Sequence, residues 1–246
     1  MTPQTILDYA SENSFTDICL TDHFWDETVP GATPYIADNM TYGCLAKALP
    51  LPAADGIRFM FGCETELDMR GTLAISRKTF DKFDFVVIPI NHFHMNGFTI
   101  AEEDFCRPDR IAALWVERFL YVLGMDLPFS KIGFAHLSCE LMDVSSSTAH
   151  LDVCDLISDD DLKHCFSRAA ERGAGIELNF ETFFDYSKGE LERLLRMYRV
   201  AKVEGCKFYF GSDAHHPEEL TRSKEKFNRV VDLLGLTEDD KYRVPK

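Results

Sequence analysis

The 246-residue chain has no GxxxxGKS/T, no GxGxxG, no GxSxG and no HExxH. These absences exclude the simplest phosphate-loop, dinucleotide, serine-hydrolase and zincin readings. No apolar run is long enough to span a bilayer, and residues 1–8 lack the basic and then apolar pattern of a signal peptide. Basic residues are scarce, 26 against 41 acidic ones, for a net charge of −15. With no basic stripe interleaved with aromatics, long nucleic acids meet overall repulsion and no reading surface. Small anionic substrates are not excluded, because a bound cation reverses the local sign. The eight cysteines form no CxxC pair, so a reducing cytoplasm is expected, with each cysteine a small buried hydrophobe. Nothing in the sequence speaks to oligomeric state.

What is present is an ordinary globular composition, 46% apolar and 27% charged, without a linker that would divide it. One domain over residues 1–246 is expected. Six short apolar, β-branched or aromatic runs read as strands, at 17–20, 57–61, 83–90, 131–135, 175–178 and 206–210. Helical periodicity occupies 107–123, 159–172, 189–204 and 222–234, and an opening helix spans 3–13 after a Thr2-Pro3 start. Ser158 before three aspartates, and Gly173, Gly205 and Gly235 at the far ends, supply boundary chemistry. Continuous apolar strands alternating with helices indicate an α/β fold with a parallel sheet.

Each strand runs into metal-capable or acid-base groups: Asp22 and His23; Glu64 and Glu66; Asn91, His92 and His94; His136; Glu177 and Asn179; Asp213 and His215. A parallel barrel gathers all carboxyl ends around one mouth, whereas an open sheet spreads them along a line, so the pattern favours a TIM-like barrel. Histidine occurs only eight times, yet His23, His92, His136 and His215 fall at the ends of four different strands. A metal site accounts for that better than coincidence. Glu64 is preferred to Glu66 as a carboxylate bridging cations, being nearer the strand. His94, deeper in its loop, reads as structural or substrate-facing. His150, His164 and His216 read as solvent-exposed. Glu177 and Asn179 serve either substrate binding or backbone satisfaction.

The set "TDH" (21–23), "GCETELD" (62–68), "NHFHM" (91–95), "GFAHL" (133–137), "ELN" (177–179) and "GSDAH" (211–215) resembles the PHP (polymerase and histidinol phosphatase) family over nearly the whole chain. The resemblance implies a distorted (β/α)7-type barrel holding one to three divalent metals and hydrolysing a small phosphate ester, as histidinol phosphatase does. By position, Glu64 resembles the bridging carboxylate, His92 and His136 complete one metal, Asp213 belongs to a second, and His23 with His215 to a third. Asp213 and His215 would also manage protons of the reaction. Zinc, manganese and iron suit these ligands equally. The family's opening strand, with its HxH motif, is missing ahead of the first helix. A start lying about 15 to 25 residues further upstream is the expected explanation. Two rivals remain: a metal-depleted binding or regulatory module, and an amidohydrolase-type enzyme, disfavoured because no lysine sits at a strand end.

Overall fold

The computed structural model describes residues 1–179 and 185–245. Helix α1 (Pro3–Glu12) starts where Thr2 Oγ1 accepts the Thr5 amide, 3.2 Å, with proline at the first turn. Strand β1 (Asp17–Phe24) is followed by the short helices α2 (Pro34–Asn39) and α3 (Tyr42–Leu45), then β2 (Arg58–Thr65) and β3 (Phe85–Pro89). The rest alternates: α4 (Pro108–Gly124), β4 (Ile132–Ala135), α5 (Ala149–Leu156), α6 (Asp159–Arg172), β5 (Gly175–Leu178), α7 (Lys188–Val203), β6 (Lys207–Phe210) and α8 (Ser223–Leu234).

All six strands are parallel and lie in chain order, β1 to β6. The expected α/β class and parallel sheet are present. The described sheet is a half-barrel of six strands, short of the expected seven-membered closure. Strands β1 and β6 do not pair with each other; the outer side of β6 carries one isolated bridge, Phe208 to Lys241. Both edges border a cavity of about 1120 Å³.

Curvature comes from what the inner face can hold. Phe85, Val87 and Ala135 pack there with Cys19, Tyr209 and Tyr242. Two of those rings cross at Gly133, where a Cβ would lie 2.5 Å from both Phe85 and Tyr209. Glycine is thus required by the close approach, not by a turn. The outer face carries Ile88, Phe134 and Ile176 into the main core against Trp115 and Phe119 of α4, Phe166 of α6 and Leu195 of α7. Sheet and helices together bury the continuous strands on both sides.

The first two strands run further than expected. β1 extends through Asp22, His23 and Phe24, and β2 through Thr65, because backbone pairing continues in register from Asp17↔Arg58 to Phe24↔Thr65. Polar side chains at a strand end do not stop a ladder whose partner continues. Helix α5 was not expected, and His150 lies inside it, fully buried and not solvent-exposed. The Tyr186 hydroxyl lies 2.9 Å from its Nε2, and that contact compensates burial of the ring.

Candidate metal centre

Register places the first two groups together: His23 on β1 is opposite Glu64 on β2. His92 lies just past β3 and His136 just past β4, so three adjacent strands deliver their carboxyl-end side chains to one point. Glu64 Oε1 lies 3.3 Å from His136 Nε2 and 3.5 Å from His92 Nε2. The two imidazoles stack, with centroids 5.0 Å apart and planes at 25°. Glu64, His92 and His136 are 8%, 4% and 4% exposed. Their ligand atoms all fall within 4.8 Å of one another, as do those of His23, Glu64 and Glu66.

Each histidine is held from behind. Glu66 Oε1 meets His92 Nδ1 at 2.6 Å, while His92 Nε2 is buried without a hydrogen-bond partner. His136 has a left-handed backbone, φ 57°, which costs a non-glycine residue energy and needs surrounding contacts to maintain it. Three contacts do so. Asn91 Nδ2 donates to its carbonyl at 2.5 Å, its amide donates to Glu177 Oε2 at 3.0 Å, and Asn179 Nδ2 lies 3.1 Å from its Nδ1. Glu177 and Asn179, for which the sequence leaves substrate binding and backbone satisfaction both open, are engaged with His136, Glu177 at the His136 amide and Asn179 at the ring.

The cluster is electrostatically tense. Burial opposes the charge on Glu64, but His136, His92 and His23 together hold its carboxyl down to about 2. Burial likewise opposes protonation of His136, and the carboxylates of Glu177 and Glu64 overcome it, raising the ring to about 10. The same competition, with Glu66 and Glu64 prevailing over burial, raises His92. Burial pushes Glu177 up to about 7 against the pull of His136. A buried acceptor without a partner, one carboxylate and two imidazoles make a set that fits zinc, manganese or iron. A divalent cation would replace the protons these groups otherwise hold.

The remaining expected ligands lie at the rim of the cavity, which His23, Glu64, His136, Glu177, Asp213 and His215 line. The His23 and His215 rings are 6.2 Å apart. Asp213 has φ 52°, and its carbonyl accepts from His215 Nδ1 at 2.9 Å. His215 is exposed, and its amide donates to Glu219 Oε2 at 2.6 Å. His94 stacks edge-on to His92, 5.3 Å between centroids, with burial and His92 lowering its pKa.

Sequence reasoning missed Arg118, which donates to the carbonyls of Leu67 and Thr99 while the Thr99 hydroxyl donates to that of His92. Its signal was present: Arg118 follows Ile111 by seven residues and Trp115 by three, on the apolar stripe of α4.

No family model matches the chain. Probable phosphatases of Thermoanaerobacter sp. strain X514 and Thermoanaerobacter pseudethanolicus are each 34% identical to it over 79 residues. That stretch is 32% of this chain and 32% of each relative, so the chain spans about a third of the curated relatives it matches. The crystal structure of histidinol phosphate phosphatase from Lactococcus lactis, complexed with zinc, L-histidinol and phosphate, superposes with a TM-score of 0.57 at 17% identity. It covers 96% of this chain and 88% of the other. A putative histidinol phosphatase from Listeria monocytogenes gives 0.55 at 13% identity, over 91% and 93%. The chain shares their fold.

Proposed function

We propose that the chain is a metal-dependent phosphoesterase acting on a small phosphate monoester, of the PHP type. The observation that carries this is the convergence of Glu64, His92 and His136, buried and within 4.8 Å, at the carboxyl face of a parallel half-barrel. The fold of the two histidinol phosphatases and the partial match to probable phosphatases support phosphoester chemistry over other metal-assisted hydrolyses.

In this reading Glu64, His92 and His136 hold one cation, and His23, Asp213 and His215 contribute to one or two more at the rim. A bound divalent cation supplies hydroxide near neutral pH and neutralises charge on phosphoryl oxygens. The chain's own groups do the rest. Asn91 and Glu177 hold the His136 backbone, and Asn179 lies against its ring. Asp213 and His215 line the cavity, and in this reading one of them supplies the proton that the leaving alkoxide takes up. Glu177 lines the cavity and is available to substrate as well as to His136. The finer architecture belongs to the same proposal: a seven-membered barrel whose first strand would lie in the seam between β1 and β6, where both edges border the cavity.

The test is the metal content of the purified chain by elemental analysis, followed by assay of a panel of phosphate monoesters including histidinol phosphate. At least one equivalent of zinc, manganese or iron, with turnover abolished by chelation, is the expected result. Absence of bound metal after incubation with all three would refute it.

A further inference from the structure

Glu66 has two candidate roles, one for each carboxylate oxygen: Oε1 meets His92, and Oε2 is buried without a hydrogen-bond partner. It lies in a group with His23 and Glu64 that could take a cation, and it also lies 2.6 Å from His92 Nδ1. A contact of that length contains a hydrogen atom, and an ionised carboxylate only accepts. With Glu66 as the acceptor, the hydrogen sits on Nδ1 and the lone pair of the neutral ring is left on Nε2. That nitrogen is buried, has no partner, and faces Glu64 Oε1 at 3.5 Å.

The backbone around the pair is braced by a single side chain. Arg118, 9% exposed, donates to the carbonyl of Leu67, the residue after Glu66, and to that of Thr99, whose hydroxyl holds the His92 carbonyl. Its guanidinium lies over the Phe93 ring, 5.1 Å to the centroid, and its charge faces Glu66 and Asp68. Both partners of the Glu66–His92 contact are thus tied to one rigid helix position, which is what orientation of a ligand requires.

We propose that Glu66 acts through Oε1 as a positioning residue: it holds His92 in the Nδ1–H tautomer, so that Nε2 is presented to the point shared with Glu64 and His136. This rests on the metal-centre reading above. A carboxylate behind a ligating imidazole fixes the ring and raises its basicity, and its loss typically costs about 10–100-fold in metal affinity.

The experiment is Glu66→Gln. The amide keeps the shape but offers either a donor or an acceptor, so it no longer dictates the tautomer. Two readouts are taken. Zinc affinity and stoichiometry come from competition with a chromophoric chelator, and the His92 tautomer comes from long-range proton–nitrogen-15 spectra of metal-free protein at alkaline pH, where the ring is neutral. The expected result is unchanged stoichiometry, affinity weaker by about 10–100-fold, and conversion of His92 from the Nδ1–H form to a mixture. Loss of one zinc equivalent with the tautomer unchanged would make Glu66 a ligand and overturn the proposal. An unchanged tautomer or unchanged affinity would overturn it too. If the parent binds no zinc, the metal reading fails, and the tautomer alone decides the role of Glu66.

Discussion

Metal binding at Glu64, His92 and His136 should release a proton, and His136 sets the size of the effect. Its Nε2 lies 3.3 Å from Glu64 and its Nδ1 3.6 Å from Glu177, both carboxylates buried. Burial pulls its pKa down, and the two acids pull it further up, to about 10 from an ordinary 6.5. At pH 7.5 the neutral, ligating ring is then present in only about one molecule in 300, each pKa unit being tenfold. Apparent affinity should therefore rise about tenfold per pH unit from about 7 to 9.5 and flatten above 10. The assay is calorimetric titration of zinc, held by a competing chelator, in buffers of different ionisation enthalpy; the variation of heat with buffer counts protons. About one proton released at pH 8 is expected, and for His136→Ala little residual binding. Affinity flat between pH 7 and 9, with heat independent of buffer, would refute the electrostatic argument. The sign for folding follows from the same shift. A histidine raised on folding contributes stability fully present below about 6.5 and lost as pH rises through about 10. The metal-free protein should melt at lower temperature at pH 10 than at pH 7.

Glu64 is shifted the other way, so its contribution is present above its ordinary 4.5 and lost as pH falls through about 2; Glu64→Gln should abolish tight zinc binding, measured by equilibrium dialysis. At Gly211 an added Cβ would fall on the Glu177 carboxylate, which holds the His136 amide. Gly211→Ala should therefore cost about 2–5 kcal/mol from overpacking and a stranded amide, and a thermal midpoint lowered by less than 2 °C would contradict this. Arg118→Met removes two charge-assisted bonds to buried carbonyls, with an expected loss of about 3–6 kcal/mol in chemical denaturation; a variant as stable as the parent would show that the brace contributes nothing.

Much of this was legible because parallel strands buried on both faces leave a simple trace, short runs such as 175–178 and 206–210 flanked by helical periodicity. The convergence of Glu64, His92 and His136 was legible for a related reason: in a parallel sheet the residue after each apolar run emerges on one face. Arg118 was passed over because a cation on the apolar stripe looks like an interruption until its carbonyl partners are known. His150 was misplaced because Tyr186, its partner, lies 36 residues away, and nothing local marks a buried histidine. Ring closure was the least accessible feature. Strand count and order follow from sequence, but whether β1 meets β6 depends on how sharply the sheet bends, which the rings packed against Gly133 decide.

That bend also explains why an unclosed sheet can assemble a site. Glu64, His92 and His136 come from β2 and from just past β3 and β4, consecutive strands each paired on both sides. Their geometry depends on no contact across the gap. His23 on β1 and Asp213 and His215 beyond β6 border the seam, and the His23–His215 ring separation of 6.2 Å spans two edge strands, each paired on one side only. A cation at the inner site should therefore bind tightly and exchange slowly, while cations at the rim bind weakly. Zinc titration with stoichiometry resolved by native mass spectrometry should show one tight equivalent before any other. Two equivalents of equal affinity would mean that the seam is as rigid as the paired strands, contrary to the argument from pairing.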